Sequence, residues 1–254
     1  MEGYQKEFVK LLADSGALFF EEGLNLKDQR PTPYFVNIGA FGEKSSLRWK
    51  LANAYAGLIK QKINEGAEVD LVIGLSYKGS MIAADATMAL FLNHQIDLGC
   101  SYDRKEVKDH GEGSSNQNMF VGAQLFDNAN LYIVDDVGTS MKTKLELLEK
   151  IALESERRGI NTNVVGIGIA FDREQVGPVY DENGDFIPNA RGTDAIKEFV
   201  DKTGISVDSI VGARDAMNFL EESGHPVKID GKMQSMPYGT SINFENYMGV
   251  YGTK

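Results

Sequence analysis

The sequence predicts an α/β fold in which helices flank a mainly parallel central sheet. Three short runs, residues 70–75, 131–134 and 164–169, consist largely of aliphatic or β-branched residues, as do strands that are covered on both faces. The first two runs lead directly into stretches compatible with helices, which is the order of a strand, a crossover helix and a parallel strand. A doubly wound sheet is therefore the expected architecture.

The residues before the first strand predict two amphipathic helices joined by an extended segment. Residues 34–38, set off by prolines and glycines on either side, are expected to form a strand or an extended loop. Apolar residues recur at helical spacing in both helices: Tyr4, Phe8, Leu11 and Leu12 in the first, and Leu47, Leu51, Tyr55, Leu58 and Ile63 in the second.

The second half of the chain predicts a further helix, strand and helix. The first helix is expected at residues 193–203 and the strand at residues 206–211. The last helix is expected at residues 213–222, where Gly224 closes it. The alternation of helices and strands thus continues to this point.

Two segments are expected to be additions to the core. Residues 180–190 predict an inserted β-hairpin, because the central pair Asn183-Gly184 suits a type I′ turn. Residues 227–254 are rich in Gly, Tyr and Met with weak alternation, which predicts irregular or hairpin structure. The whole chain is expected to form one domain, with a core at about residues 45–222, a small hood from residues 1–44 and C-terminal parts, and an extension at residues 225–254.

The composition excludes several functional classes. The 254 residues are 42% hydrophobic and 25% charged, which suits a globular protein with a full core. A net charge of -11 disfavours nucleic acids and anionic membranes as partners, because phosphate-rich surfaces need a clustered basic patch. The single cysteine, Cys100, is expected to be a small buried hydrophobe in a reducing compartment. A polar N-terminus and the lack of an apolar run of ~20 residues predict a cytoplasmic protein.

An apolar strand runs into two carboxylates within residues 131–143. Ligands bind at the carboxyl ends of strands in open α/β sheets, which makes Asp135 and Asp136 candidates for holding ribose hydroxyls or Mg2+ through water. The turn that follows brings hydroxyls and backbone N–H groups to the start of a helix, which favours a phosphate. The alternative is that the two acids form an ordinary N-terminal helix cap.

A second polar stretch, residues 102–115, has no hydrophobic periodicity and contains glycines and serines, which predicts a mobile surface loop. Four basic residues fall within seven positions, and acids are interleaved with them. From the residues alone, a solvated charge run explains this pattern better than a binding loop does. The four basic residues are Arg104, Lys105, Lys108 and His110.

Three shorter features are compatible with ordinary structure, and two of them are also compatible with a binding role. The turn at residues 74–80, with Lys78 at its tip, either cradles a diphosphate with backbone donors or simply connects a strand to a helix. The aromatic pair Tyr34 and Phe35 fits core packing. Arg173, between two acids, fits either a surface ion pair or the recognition of a planar anion through its fork of donors.

Taken together and in this order, the segments resemble the orotate phosphoribosyltransferases, a family of type I phosphoribosyltransferases. The strand, paired acids and hydroxyl-rich turn resemble that fold's phosphoribosyl-pyrophosphate signature. The run Arg-Lys-Glu-x-Lys-Asp-His-Gly-Glu-Gly resembles the catalytic loop of the orotate enzymes, and Tyr-Lys-Gly at residues 77–79 resembles their pyrophosphate loop. Met141 and Lys142 depart from the pattern, since they stand where the family has glycines, and Leu75 stands where it often has proline. Lys142 either supplies charge in exchange or points into solvent.

The resemblance implies that the chain joins orotate to 5-phosphoribosyl 1-pyrophosphate (PRPP), giving orotidine 5′-monophosphate and pyrophosphate in UMP biosynthesis. Mg2+ would be the cofactor, carried by PRPP and at most bridged through water to the two acids. In the family the loop reaches across a dimer interface, which implies a homodimer with shared active sites. The implied catalytic residues are Lys108, Asp135, Asp136, Arg104 and His110. The implied orotate-binding residues are Tyr34, Phe35, Thr139 and Arg173. The implied PRPP-binding residues are Lys27, Tyr77, Lys78, Arg104, Lys105, Lys108, His110, Asp135, Asp136, Val137, Gly138, Thr139, Ser140, Met141, Lys142 and Thr143.

Two other functions remain as alternatives. A phosphoribosyltransferase for another base, such as a purine, would share the paired acids and the phosphate turn, and the loop that begins at Arg104 speaks against it. A regulatory protein would bind PRPP without releasing pyrophosphate, although the acidic composition argues against an RNA-binding regulator.

Overall fold

The computed structural model describes residues 1–104, 119–138 and 141–253. In these ranges the chain forms two sheets with helices around them. The elements in chain order are α1 (Gly3–Asp14), β1 (Leu18–Phe20), β2 (Tyr34–Val36), a 3-10 helix (Ile38–Glu43), α2 (Ser45–Asn64), β3 (Leu71–Gly74), α3 (Lys78–His94), β4 (Gly99–Asp103), β5 (Phe120–Gly122), β6 (Ala129–Val137), α4 (Lys142–Arg158), β7 (Thr162–Asp172), α5 (Ala195–Thr203), β8 (Val207–Gly212), α6 (Ala213–Ser223), β9 (Val227–Ile229), β10 (Lys232–Gln234) and α7 (Tyr238–Tyr251).

The larger sheet has six strands in the order β5-β4-β3-β6-β7-β8. All neighbouring pairs are parallel except β4 and β5, which are antiparallel. The predicted mainly parallel sheet flanked by helices is confirmed, and its three aliphatic runs are β3, β6 and β7. Because these strands are parallel neighbours, their carboxyl ends lie along one edge, where the candidate site begins.

Alternate residues of β6 face two different helical layers. Tyr132 and Val134 belong to a buried cluster that includes residues of α1, α2 and α3. Leu131 and Ile133 belong to a second cluster with Leu147 of α4. Successive side chains of a strand point to opposite faces, so the acids that end β6 are also divided between these layers.

The smaller sheet joins the start of the chain to its later part. Its strand order is β10-β9-β1-β2, with β1 antiparallel to β2 and parallel to β9. Strand β2 falls within the predicted segment 34–38. Its Tyr34 ring is buried against Phe244 and Tyr247 of α7, with ring centroids 5.5 Å and 6.2 Å apart. The division into core, hood and extension stays a prediction, but α7 packs against the residues assigned to the hood.

Residues 227–254 are more regular than the sequence prediction allows. The hairpin is present as β9 and β10, joined through Asp230 and Gly231 in left-handed conformations. The prediction of irregular structure for the remaining residues is wrong, because most of them form α7. Two glycines hide the helix in the sequence, but its buried side chains follow helical spacing. They are Phe244, Tyr247, Met248 and Tyr251.

The segment 180–190 is only a minimal hairpin. A single antiparallel bridge joins Tyr180 to Phe186. Gly184 has a positive φ of 85°, but Asn183 does not, so the predicted type I′ turn is wrong. The Asp181 carboxylate instead accepts hydrogen bonds from the backbone N–H groups of Asn183 (2.8 Å) and Asp185 (3.0 Å), which holds the turn in another form.

Two predictions made from composition can be compared with the structure. In the described ranges no helix has both the length and the apolar character needed to cross a bilayer. Cys100 lies in β4 and is only partly buried, and burial raises the pKa of its thiol. A thiol with a raised pKa is a poor nucleophile, which agrees with the expected packing role.

Candidate active site

The turn after β3 lies directly against the end of β6. The backbone N–H of Leu75 donates to the carbonyl oxygen of Val134 at 3.1 Å. A Cβ atom on Gly79 would lie 2.5 Å from that same oxygen, and one on Gly74 would lie 2.3 Å from the carbonyl oxygen of Gly79. Only glycine allows so close an approach, so the Tyr-Lys-Gly turn is packed beside the paired acids as a consequence of sequence.

The acids that end β6 each meet a lysine from a different helix. Asp136 accepts a hydrogen bond of 2.5 Å from Lys78, the first residue of α3. Asp135 is paired with Lys144 of α4, whose ammonium also donates to the carbonyl oxygen of Val137 at 2.7 Å. The strand alternation explains the division, because α3 and α4 cover opposite faces of β6.

The two ion pairs differ in their access to solvent. The side chain of Lys78 is 57% exposed, whereas that of Lys144 is 4% exposed. Burial raises the pKa of Asp135, although Lys144 opposes the shift. The Asp135 backbone is fixed as well, since its carbonyl oxygen accepts a 2.6 Å hydrogen bond from Tyr55. The Asp135–Lys144 pair is therefore part of the interior, and the Asp136–Lys78 pair is open to exchange with a ligand.

The segment between β6 and α4, for which the sequence predicts phosphate binding, is called the phosphate turn. It contains a residue in the left-handed conformation that is not a glycine. Met141 is buried and has a φ of 55° as the N-cap of α4. Gly138 is tightly enclosed, since a Cβ atom there would lie 3.1 Å from the Ile169 side chain. The Lys142 side chain is 80% exposed and 4.0 Å from Glu146, which favours the solvent-facing alternative for this lysine. Thr139 and Ser140 lie outside the described residues.

A cleft of about 600 Å³ opens beside the Tyr-Lys-Gly turn. Its wall is held by Asp103 at the end of β4, which accepts hydrogen bonds from the Ser76 N–H at 2.8 Å and from Lys150 at 2.6 Å. Burial alone would raise the pKa of Asp103, but these hydrogen bonds outweigh it and lower the pKa below its ordinary value. The lining residues are Ser76, Tyr77, Ser80, Met81, Tyr102, Asp103 and Arg104.

Arg173 lies just past the end of β7 and faces two aromatic rings. Its guanidinium carbon is 5.5 Å from the ring centroid of Tyr34 and 5.4 Å from that of Phe35. Its Nη1 atom is buried and has no hydrogen-bond partner among the described residues. The Tyr34 hydroxyl accepts a 2.8 Å hydrogen bond from Gln175, and burial raises the pKa of Tyr34 well above its ordinary range. A partly buried guanidinium beside flat rings, with a buried Nη1 that has no partner among the described residues, suits a planar anion.

The structure brings two sets of the predicted site residues together and leaves others apart from them. Asp135, Asp136 and Lys78 come together at the end of β6, and Tyr34, Phe35 and Arg173 come together at the end of β7. Lys27, in the loop between β1 and β2, and Thr143, in the first turn of α4, are exposed and form no hydrogen bond or ion pair with either set among the described residues. The residues that lie outside the described ranges are Lys105, Lys108, His110, Thr139 and Ser140.

Sequence reasoning missed several residues that support the site. Lys144 was detectable, because it shares the helical spacing of the buried Leu147 and Ile151. A lysine in such a stripe must be buried with an acid. Asp103 and Lys150 gave no signal, since their pairing depends on how α4 packs beside β4.

The combination of this parallel sheet, the acids that end its central strand and the adjoining phosphate turn defines a type I phosphoribosyltransferase. The solved orotate phosphoribosyltransferase from Francisella tularensis has the same fold, with a TM-score of 0.73 at 23% identity, over 97% of this chain and 99% of that one. No family model matches the chain.

Curated relatives narrow the class to one family. The orotate phosphoribosyltransferase of Pseudomonas fluorescens (strain SBW25) is 35% identical over 222 residues, which are 87% of this chain and 91% of the relative. That of Hamiltonella defensa is 34% identical over 224 residues, or 87% of this chain and 88% of the relative. The chain belongs to the orotate phosphoribosyltransferase family, whose members are pentosyltransferases.

Proposed function

We propose that this chain transfers the phosphoribosyl group of PRPP to orotate, forming orotidine 5′-monophosphate and pyrophosphate for pyrimidine nucleotide synthesis. The observation that carries the proposal is Arg173, whose buried Nη1 atom lacks a partner among the described residues beside the rings of Tyr34 and Phe35. Orotate is a planar carboxylate that satisfies both features at once. Purine bases carry no such carboxylate, which disfavours a purine as the acceptor.

PRPP binds by separating the exposed Asp136–Lys78 ion pair and giving each of the two side chains a new partner. In the free site Lys78 neutralises Asp136 at 2.5 Å. The ribose hydroxyls donate to Asp136, and the released ammonium of Lys78 turns to the diphosphate. Each charge thus changes partner without being left unpaired, which keeps the cost of desolvation low.

The reaction creates opposite charges on its two fragments. The bond from the anomeric carbon to the pyrophosphate oxygen breaks, and the electron pair leaves with pyrophosphate. The ring nitrogen of orotate forms the new bond to that carbon, and the proton that this nitrogen carried is released to the departing pyrophosphate. Positive charge grows on the ribose beside Asp136, and negative charge grows on the leaving group beside Lys78, so each fragment is stabilised by a group that was placed before the reaction.

The buried pair Asp135–Lys144 acts on the shape of the phosphate turn. Lys144 binds the Asp135 carboxylate and the Val137 carbonyl together, and therefore connects the end of β6 to the start of the turn. We assign Asp135 to holding this geometry, because Lys144 already neutralises its carboxylate. The 5′-phosphate then meets the turn that contains Gly138 and leads to Met141.

Mg2+ belongs to the substrate in this proposal. The described residues contain no group of three acids, histidines or cysteines that could hold a metal ion. Asp135 and Asp136 each have a lysine partner as well. We propose that the ion arrives on the diphosphate of PRPP and offsets the charge of the leaving group, with at most a water bridge to the two acids.

In this proposal the basic loop predicted at residues 102–115, of which residues 105–115 lie outside the described ranges, completes the site in a homodimer. Arg104 lines the cleft beside the Tyr-Lys-Gly turn, which we call the diphosphate cleft because we propose that the diphosphate binds there. The buried Nε of Arg104 has no partner among the described residues. Exposed apolar side chains on α2 and α3, among them Trp49, Met88 and Phe91, offer a surface for the second copy. A cytoplasmic location is part of the same proposal, since Cys100 is a free thiol.

The first test follows orotate by its absorbance with and without PRPP and Mg2+, and measures pyrophosphate in parallel. We expect orotate loss and pyrophosphate release in equal amounts, both requiring Mg2+. Turnover of adenine or guanine in place of orotate would contradict the proposal. PRPP binding without pyrophosphate release would show a regulatory protein instead.

A second test addresses the shared site by co-expressing two inactive variants, Lys108→Ala and Asp136→Asn. If the loop of one copy serves the acids of the other, half of the dimers are mixed and each mixed dimer has one intact site. Activity should then return to roughly a quarter of the wild-type value. The absence of any recovery in demonstrated mixed dimers would contradict sharing.

A further inference from the structure

The segment 250–253 runs alongside the residues that follow Arg173. The N–H of Val176 donates to the carbonyl oxygen of Tyr251 at 2.8 Å, and the N–H of Thr253 donates to that of Glu174 at 2.8 Å. Between these two hydrogen bonds, Gln175 and Gly252 form an antiparallel bridge. The backbone that leaves Arg173 is therefore fixed by the far end of α7 rather than by either sheet.

Two arginines hold the segment 250–253 in place through its carbonyl oxygens. Arg191 donates to Val250 at 2.5 Å and to Gly252 at 2.6 Å. Arg214 donates to Thr253 at 2.7 Å, and its backbone N–H donates to the Glu174 carboxylate at 2.7 Å. We call residues 250–253, Arg191 and Arg214 the end clamp.

The close fit at Gly252 supports the specificity of this arrangement. A Cβ atom on Gly252 would lie 2.6 Å from the Arg214 guanidinium and 2.4 Å from the carbonyl oxygen of Met248. No other residue type fits there without displacing the arginine. The crossing of the chain over Arg214 is thus built into the sequence, as a glycine is built into other close backbone approaches.

The end clamp reaches both sides of the orotate pocket. On one side, Gln175 within the bridge donates to the Tyr34 hydroxyl at 2.8 Å. On the other side, Arg30 donates to the Val176 carbonyl at 2.6 Å, and its guanidinium carbon lies 5.4 Å from the ring centroid of Tyr251. Moving the segment 250–253 would therefore shift the surroundings of Tyr34 and Arg173 together.

We propose that the end clamp positions Arg173 and Tyr34 for the acceptor base and takes no part in binding PRPP. This inference rests on the proposed function, because Arg173 is its orotate-binding residue. An arginine side chain loses several rotors when it is fixed, and a pocket that is fixed beforehand loses less of that freedom on binding. None of the clamp contacts reaches Asp136, Lys78 or the diphosphate cleft.

The test is Arg191→Met in the full chain, because this exposed side chain supplies two clamp contacts and lies outside the core. We expect the KM for orotate to rise about tenfold, as for a modest misplacement of a binding group, with the KM for PRPP within roughly twofold of wild type. Arg191→Lys, which keeps one donor group, should recover part of the loss. Arg158→Met, at the end of α4 and outside the clamp, is the matched control and should leave both constants unchanged.

A chain that ends at Tyr251 gives a second, independent measurement. It lacks Gly252 and Thr253, and with them the bridge to Gln175 and the contact from Arg214. The same selective rise in the KM for orotate is expected. Equal rises in both KM values would mean a general structural role and would overturn the proposal, as would no change in either variant. If the wild-type chain itself does not consume orotate, the proposed function fails before the clamp is tested.

Discussion

Asp136 at the end of β6 already has its counter-ion in Lys78 at 2.5 Å, whereas Arg173 at the end of β7 has a buried Nη1 without a partner among the described residues. The donor side of the site is thus balanced before the substrate arrives, and the base side is not. In the proposed function, PRPP replaces existing ion pairs, while orotate supplies a charge that is missing. The two substrates are therefore bound by different physical means, and substitutions on the two sides should separate their effects.

The two acids make the same contrast within one strand. The Asp135–Lys144 pair is buried, and the Asp136–Lys78 pair opens to solvent. Removing one member of a buried pair leaves an uncompensated charge in the interior, which costs far more than the loss of an exposed pair. Stability should thus depend on the first pair and turnover on the second.

The largest expected effect is on the stability of Lys144→Met, which should lower the free energy of unfolding by about 3–5 kcal/mol at neutral pH. Burial already raises the pKa of Asp135, and Lys144 opposes that rise, so its removal raises the pKa further. When the pKa of Asp135 is higher in the folded state than in the unfolded state, folding favours the protonated carboxyl. The variant therefore loses stability as the pH rises through the folded-state pKa. Its deficit should be smaller at pH 5 than at pH 8 in urea unfolding. Lys142→Met, whose side chain is exposed, is the control and should change stability by under about 0.5 kcal/mol.

Arg173→Met tests the base side of the site, where a buried donor has no partner among the described residues. Loss of a charge-assisted contact to a buried anion should reduce kcat/KM for orotate on the order of a hundredfold or more. PRPP binding, measured by calorimetry with Mg2+ present, should stay within roughly twofold, because the donor contacts lie at the end of β6. A variant that loses PRPP binding to the same extent as orotate turnover would contradict the division of the site.

Lys78→Met tests the exchange of partners on the donor side. Turnover should fall roughly ten- to hundredfold, because one preorganised cation is removed from the leaving group. The KM for orotate should change little. Since the diphosphate loses one cationic partner, PRPP binding should also depend less on ionic strength than in the wild type. Wild-type turnover in Lys78→Met would exclude this lysine from the chemistry.

The sheet and its acids were predictable because each depends on a few consecutive residues. Aliphatic runs locate β3, β6 and β7, and a strand that ends in two acids locates the donor side whatever the rest of the fold does. The pairs Lys144–Asp135 and Lys150–Asp103 depend instead on where α4 lies against the sheet. Such pairings appear only when distant segments are placed together.

The base side of the site depends even more on contacts between residues that are distant in the sequence, and such contacts cannot be predicted from a local pattern. Tyr34 and Arg173 were identified through resemblance, but their supports come from residues 175, 191, 214 and 244–253, far apart in the sequence. The helix α7 was missed because two glycines weaken its pattern, even though Phe244, Tyr247 and Tyr251 follow helical spacing. Its stability comes from packing on Tyr34, which a local pattern does not contain.

The smallest expected effect is that of Met141→Gly, which restores the residue type that the family has in its phosphate turn. Two terms oppose each other at this position. Glycine relieves a left-handed conformation that costs a methionine about 1–2 kcal/mol. It also removes a buried side chain, and burying a methionine stabilises the fold by about 1.5–3 kcal/mol. The packing term is the larger, so the free energy of unfolding should fall by about 1 kcal/mol, measured in urea. The same variant also tests what sets the shape of the phosphate turn. Because Lys144 still fixes the Val137 carbonyl, the KM of the Met141→Gly variant for PRPP should stay within roughly twofold of wild type. A gain in stability would mean that backbone strain outweighs packing in this turn, and a large rise in the KM for PRPP would mean that Met141, not Lys144, sets its shape.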